Sequence, residues 1–150
     1  MFERVSAEAS ARLNRLAAQV RNALVTAGLP VLAPELAPQL AAGAEVDVDP
    51  GDDAAGGVFV SWQVSPRLRD CALRELKYMR TPPEDDAEIA AVRHQGAISR
   101  AMMHAMIDVL TSAGFSAADA HEEYRPFALR VLSGPPDGQR PVWDMRESEL

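Results

Sequence analysis

Apolar residues recur every three or four positions from the start of the chain. Val5, Ala9, Leu13, Leu16, Val20 and Leu24 form one stripe, and Arg4, Glu8, Arg12, Arg15 and Arg21 lie off it. That period predicts a helix over 2–27. Gly28 stops it and Pro30 follows, the usual order past a helix C-terminus. The stripe is narrow, which suits packing on a core sheet or a coiled-coil-like contact. The pattern then breaks. Pro30, Pro34 and Pro38 alternate with Leu32, Leu36 and Leu40, and prolines at that spacing oppose a continuous helix. A short extended piece near 29–33 and a helical turn or two near 35–42 fit this stretch.

The period next changes to two. Glu45-Val46-Asp47-Val48-Asp49 alternates, and so does 58–64, with Val58, Val60, Trp62 and Val64 on one face. Two half-buried strands joined by the Gly- and Asp-rich run 50–57 predict a hairpin. Ser65-Pro66 opens a second helix, with Leu68, Cys71, Ala72, Leu76 and Met79 as its buried side. Thr81-Pro82-Pro83-Glu84 reads as a capping box with Pro at N1, and Gly114 as the stop of a long third helix. Within that helix the polar residues Arg100, His104, Asp108 and Thr111 form a single narrow stripe. So narrow a stripe predicts a mostly buried helix, with Met103 and Ile107 fully enclosed. Ser116 is placed to cap a short helical turn over 117–123. Residues 127–133 alternate again and predict a strand, with Phe127, Leu129 and Val131 on one face.

These elements predict an α+β fold: a small, mostly antiparallel sheet of about three or four strands, with long helices packed on one face. A single domain over 1–138 and a C-terminal tail over 139–150 account for the 150 residues. A chain of this length buries roughly two-thirds of its unfolded surface and needs no disulfide or metal to fold. No cofactor is expected.

The net charge of -7 disfavours non-specific contact with nucleic acid or anionic membrane. No apolar run is long enough to span a bilayer, and the N-terminal stretch lacks the apolar region of a secretory signal. Cys71 is the one cysteine, so a reducing compartment, the cytoplasm, is expected. Arginine outnumbers lysine heavily and alanine is abundant, which suits a bacterial source.

Candidate chemistry is sparse. Asp47, Asp49, Gly51 and Asp53 loosely resemble a calcium loop, but the glycine falls one place early and Val58 stands where a bidentate Glu belongs. His104 and Asp108, four apart, can touch on a helix, with Arg100 one turn before. They are a candidate general base and its orienting partner, or part of a metal site, but no third member is in evidence. The blander reading is the solvated edge of a helix. Cys71, on the apolar side, reads as core filler, as do Met102, Met103 and Met106. Arg67, Arg69, Arg74, Lys77 and Arg80 form a basic cluster interrupted by Asp70 and Glu75.

Phe59 and Leu132 fall on the polar side of their strands, and the tail carries Trp143 and Met145. Apolar residues so placed are candidate interface positions. The leading expectation is therefore a non-enzymatic protein- or peptide-binding module, chaperone- or adaptor-like, acting as a homodimer. The alternative is a small-ligand domain or enzyme with a polar site at Arg100, His104 and Asp108. A nucleic-acid-associated regulator using the basic cluster is a weaker third.

Overall fold

Two of the helices end on the same device. The computed structural model describes residues 2–33, 41–51, 56–78, 90–136 and 139–143; the side chains of residues 2–6 and 78 lie outside that set. Helix α1 (Phe2–Thr26) stops where Gly28 adopts a φ of 93°. The Gly28 N–H bonds Val25 O, and Leu29 N–H bonds Leu24 O. Helix α3 (Ala90–Ser112) repeats this at Gly114, φ 98°, with Gly114 N–H to Thr111 O and Phe115 N–H to Leu110 O. These are Schellman closures, and in each the residue after the glycine folds back on the core. Phe115 is buried and Leu29 packs against the same cluster.

Between them lie β1 (Gly43–Asp49), β2 (Gly57–Gln63) and α2 (Pro66–Tyr78); β3 (Ser116–Asp119) and β4 (Leu129–Ser133) follow. The sheet order is β1-β2-β4-β3, with every neighbouring pair antiparallel. One face carries Ala44, Val46, Val58, Val60, Leu129 and Val131, all buried. Helices α1 and α3 cover that face with Ala17, Val20, Ala23 and Leu24, and with Met103, Met106 and Leu110. The α+β arrangement with helices against an antiparallel sheet is as the pattern predicts. No described helix is long and apolar enough to cross a membrane.

Several expectations change. Residues 116–119 form an edge strand, not the start of a helical turn. Ala117, Ala118 and Asp119 pair with Val131, Arg130 and Leu129. An Ala-Ala pair has no strand signal of its own, so pairing with β4 decides its state. Helix α3 is less enclosed than its narrow polar stripe implies: Ile107 is half-buried, and Ala97, Ala101 and Ala105 are exposed. Alanines widen an apolar stripe on paper and have little area to bury. Helix α2 is rolled relative to expectation. Ala72 is buried and Leu68 half-buried, but Cys71, Leu73 and Leu76 face solvent. Polar anchors set this roll. Arg69 donates to Gln63 Oε1 and Ala41 O, and Glu75 accepts the Ala91 N–H at the start of α3. The capping box at 81–84, the proline-spaced stretch 34–40, Met79 and Met145 lie outside the described residues. Val31 does make the expected extended piece, as a parallel bridge to Ala44.

Candidate functional site

The β3–β4 connection makes a tight turn at Arg125-Pro126-Phe127-Ala128. The Ala128 N–H bonds Arg125 O at 3.1 Å. Pro126 sits at the second position, and Phe127 has a φ of 61° at the third, where a type II turn needs a positive φ. Glycine usually fills that place. A bulky aromatic there is strained, and the surroundings hold it. The Phe127 ring lies over Gly96 of α3, 3.9 Å from where a Cβ would stand, and the Arg100 guanidinium carbon is 5.5 Å from its centroid.

This turn has a consequence for the sheet. β2 pairs with β4 only at Val58↔Val131, Phe59↔Arg130 and Val60↔Leu129. The next hydrogen-bonded pair in this register would be Trp62 with Phe127, but Phe127 turns away. Ala44 directs its N–H to Pro30 O and its carbonyl to the Leu32 N–H, away from β2. Its partner Trp62 is therefore a non-hydrogen-bonded pair member on that side, and the Trp62 N–H and C=O face the place that β4 has left. Among the described residues the β2–β4 pairing ends at Val60↔Leu129, and no backbone hydrogen bond from a turn or loop reaches Trp62.

A cleft of about 460 Å³ opens there. Its walls are Asp47 of β1, Phe59, Ser61, Trp62 and Gln63 of β2, the first half of α3 at Val92, Gln95, Gly96 and Ser99, and the connection 124–128. Tyr124 stands at the mouth, 96% exposed.

The outer face of the sheet continues the site. Phe59 is expected to be an exposed apolar residue, but it is 2% exposed. Arg125 covers it, with its guanidinium carbon 4.1 Å from the ring centroid, and Arg130 approaches at 5.8 Å. Arg125 also pairs with Asp49 Oδ2 at 3.3 Å and Glu122 Oε2 at 3.4 Å. Arg130 donates to Gly56 O. The Gly51 N–H, 3.0 Å from Asp49 Oδ1, is the main reason that the Asp49 carboxyl is held below its usual range, and Arg125 adds to it. Glu45 moves the other way. Burial, then the charge of Asp47, pushes its carboxyl up, against the Gln63 Nε2 hydrogen bond at 2.6 Å and the charge of Arg69.

The polar stripe of α3 is not gathered into this site. Arg100 stacks on Phe127, while His104 and Asp108 are exposed, and no hydrogen bond or ion pair among the described residues joins the three. No cluster of metal-ligating side chains is present among the described residues. The basic cluster of α2 is divided, with Arg69 turned toward Gln63 and Ala41 and Arg67 and Arg74 in solvent. Leu132 is exposed, as expected, and borders a groove with Leu13 and Leu16 of α1. Trp143 is half-buried against the core cluster, beside Phe115 and Pro135. The sequence could not show Arg125 over Phe59, which lie far apart in the chain. The one local hint was Pro126 before an aromatic.

Compared with protein-family models, curated proteins and solved structures, the chain matches none of them.

Proposed function

We propose that the protein is a non-enzymatic binding module that takes an extended segment of another protein or a peptide into the cleft beside β2. The observation that carries this reading is the main chain of Trp62, turned toward a cavity where β4 would otherwise continue. An unpaired strand edge recruits an added strand through main-chain hydrogen bonds, and nearby pockets supply side-chain selectivity. Ser61, Gln63, Gln95 and Ser99 offer further hydrogen-bonding groups, and the exposed Tyr124 ring at the mouth suits an anchor residue. The cleft volume also lies in the range of small-molecule sites, which keeps a small ligand as the competing occupant.

The test is an NMR titration with unstructured peptides selected for binding from a random library. The expected result is movement of the Trp62, Gln63 and Ser99 amides together. Selected peptides that move amides elsewhere and leave these three in place would overturn the reading.

We further propose that the module works as a homodimer in the cytoplasm. The first half of α1 continues its apolar stripe beyond the enclosed residues, and Leu132 lies next to it. A symmetric pair would bury at least about 1,200 Å² in total. Sedimentation equilibrium at micromolar concentration decides the assembly: a single species at the monomer mass across the range removes the dimer. A single cysteine, unable to make an internal disulfide, supports the compartment.

A further inference from the structure

We propose that the occupant of the cleft is a short extended peptide bearing a lysine or arginine, its main chain paired with Trp62 and its cationic side chain set against Asp47. This rests on reading the cleft as a peptide slot, and it names the chemistry of what enters.

Strand geometry divides the occupant's side chains. A residue paired with Trp62 points to the same face as Trp62, the α3 side, where Gly96 and the Phe127 ring line the cleft. The residues before and after it point to the outer face. There the cleft offers Asp47, Phe59, Ser61 and Gln63. Glu45 and Asp49 flank Asp47 along that face of β1.

The charges on this face are not equally engaged. Asp49 accepts from the Gly51 N–H and pairs with Arg125. Arg125 is held by Asp49, Glu122 and the Phe59 ring. Glu45 accepts from Gln63, and Arg69 is bound to Gln63 and Ala41. Asp47 is exposed and has no hydrogen bond or ion pair among the described residues. It is the charge at the cleft that still lacks a counterion. Its field also disfavours ionisation of Glu45. A cation placed beside Asp47 relieves that repulsion, while an acidic side chain deepens it. The net charge of -7 draws a basic segment in from longer range.

Two labelled octapeptides test this by fluorescence polarisation, one alternating valine with lysine and one alternating valine with glutamate. The lysine peptide is expected to bind about tenfold tighter at low salt, and the preference to shrink as salt screens the pair. Asp47→Asn should erase most of the preference. Gly96→Leu, which fills the cleft, should abolish binding of both peptides, while its far-ultraviolet circular dichroism and cooperative thermal transition report that the helix is intact. Equal binding of the two peptides, lost in Gly96→Leu, overturns the basic-segment inference and leaves the slot. Lysine-peptide binding that survives Gly96→Leu without moving the Trp62 amide is general attraction to an acidic protein, and overturns the inference. Failure of both peptides to bind overturns the slot reading itself.

Discussion

Arg125 lies across the ring of Phe59, its guanidinium carbon 4.1 Å from the centroid, and two carboxylates hold it there. The stack turns an aromatic residue on the outer sheet face into the floor of a polar site. It also fixes the connection 119–128, whose turn leaves Trp62 unpaired. A double-mutant cycle over Arg125→Ala and Phe59→Leu is expected to give a coupling of about 0.5–1 kcal/mol by urea unfolding. Arg125→Lys should recover only part of it, because a flat guanidinium covers a ring better than a compact ammonium. A coupling of zero removes the stack as a stabilising contact.

The two shifted carboxyls act in opposite directions on stability. Asp49 is depressed in the folded state, so its contribution is present above its unfolded pKa and is lost as pH falls through the folded value. Glu45 is raised, so its ionised form weighs against the fold above the folded value, and that penalty fades as pH falls toward the unfolded value. Glu45→Gln should therefore stabilise slightly at pH 7, since its amide oxygen can still accept from Gln63. The gain should vanish below the ordinary glutamate pKa. Asp49→Asn should destabilise at pH 7 and become neutral in acid. Urea midpoints for both variants at pH 7 and in acid check the two signs.

Gly96 sits inside α3 with ordinary space for a Cβ, 3.9 Å from the Phe127 ring. Glycine in a helix interior costs about 1 kcal/mol relative to alanine. Gly96→Ala is expected to raise stability by up to that amount in thermal or urea unfolding. A loss instead would mean that the Phe127 ring cannot give, and that the turn at Arg125–Ala128 depends on direct contact with the helix backbone.

The elements legible in the sequence were those whose signal is local. Gly28 and Gly114 marked helix ends because only glycine enters the left-handed region cheaply, and both do so here. Val58, Val60 and Trp62 marked a strand by alternation, and Ser65 marked a cap that the Leu68 N–H reaches. What failed to read was set by partners distant in the chain. The roll of α2 follows from Arg69 reaching Ala41 and Glu75 reaching Ala91. The burial of Phe59 follows from Arg125. The candidate site itself arises where a ladder stops, and no residue type announces the point at which β4 leaves β2.

Gly43 and Gly28 both hold positive φ, but only one is crowded. A Cβ on Gly43 would stand 2.7 Å from Pro30 O, whereas one on Gly28 meets nothing within 4 Å. Gly28→Ala should cost about 1 kcal/mol, the strain of a left-handed alanine alone. Gly43→Ala must also push back the 30–32 segment that pairs with Ala44, and is expected to cost clearly more. Equal losses by urea unfolding would show that the 30–32 segment yields freely.

Trp143 separates the two roles open to the C-terminal stretch. It is half-buried against the core, beside Phe115, Pro135 and Pro141. A large ring on its own domain stabilises that domain by the apolar area it removes from water. Trp143→Ala, or truncation after Gly138, is therefore expected to cost about 1–3 kcal/mol, lowering the thermal midpoint by roughly 2–12 °C. The same variants should leave self-association unchanged once compared below their transitions, because the proposed dimer surface, Leu13, Leu16 and Leu132, is lined by other residues. Leu132→Asp should do the reverse, dissociating the dimer with little loss of monomer stability, since Leu132 is already 61% exposed. Melting curves and sedimentation on the same three proteins form the check. If truncation dissolves the dimer and leaves the melt in place, Trp143 serves a partner chain and the dimer surface lies at the C-terminal stretch.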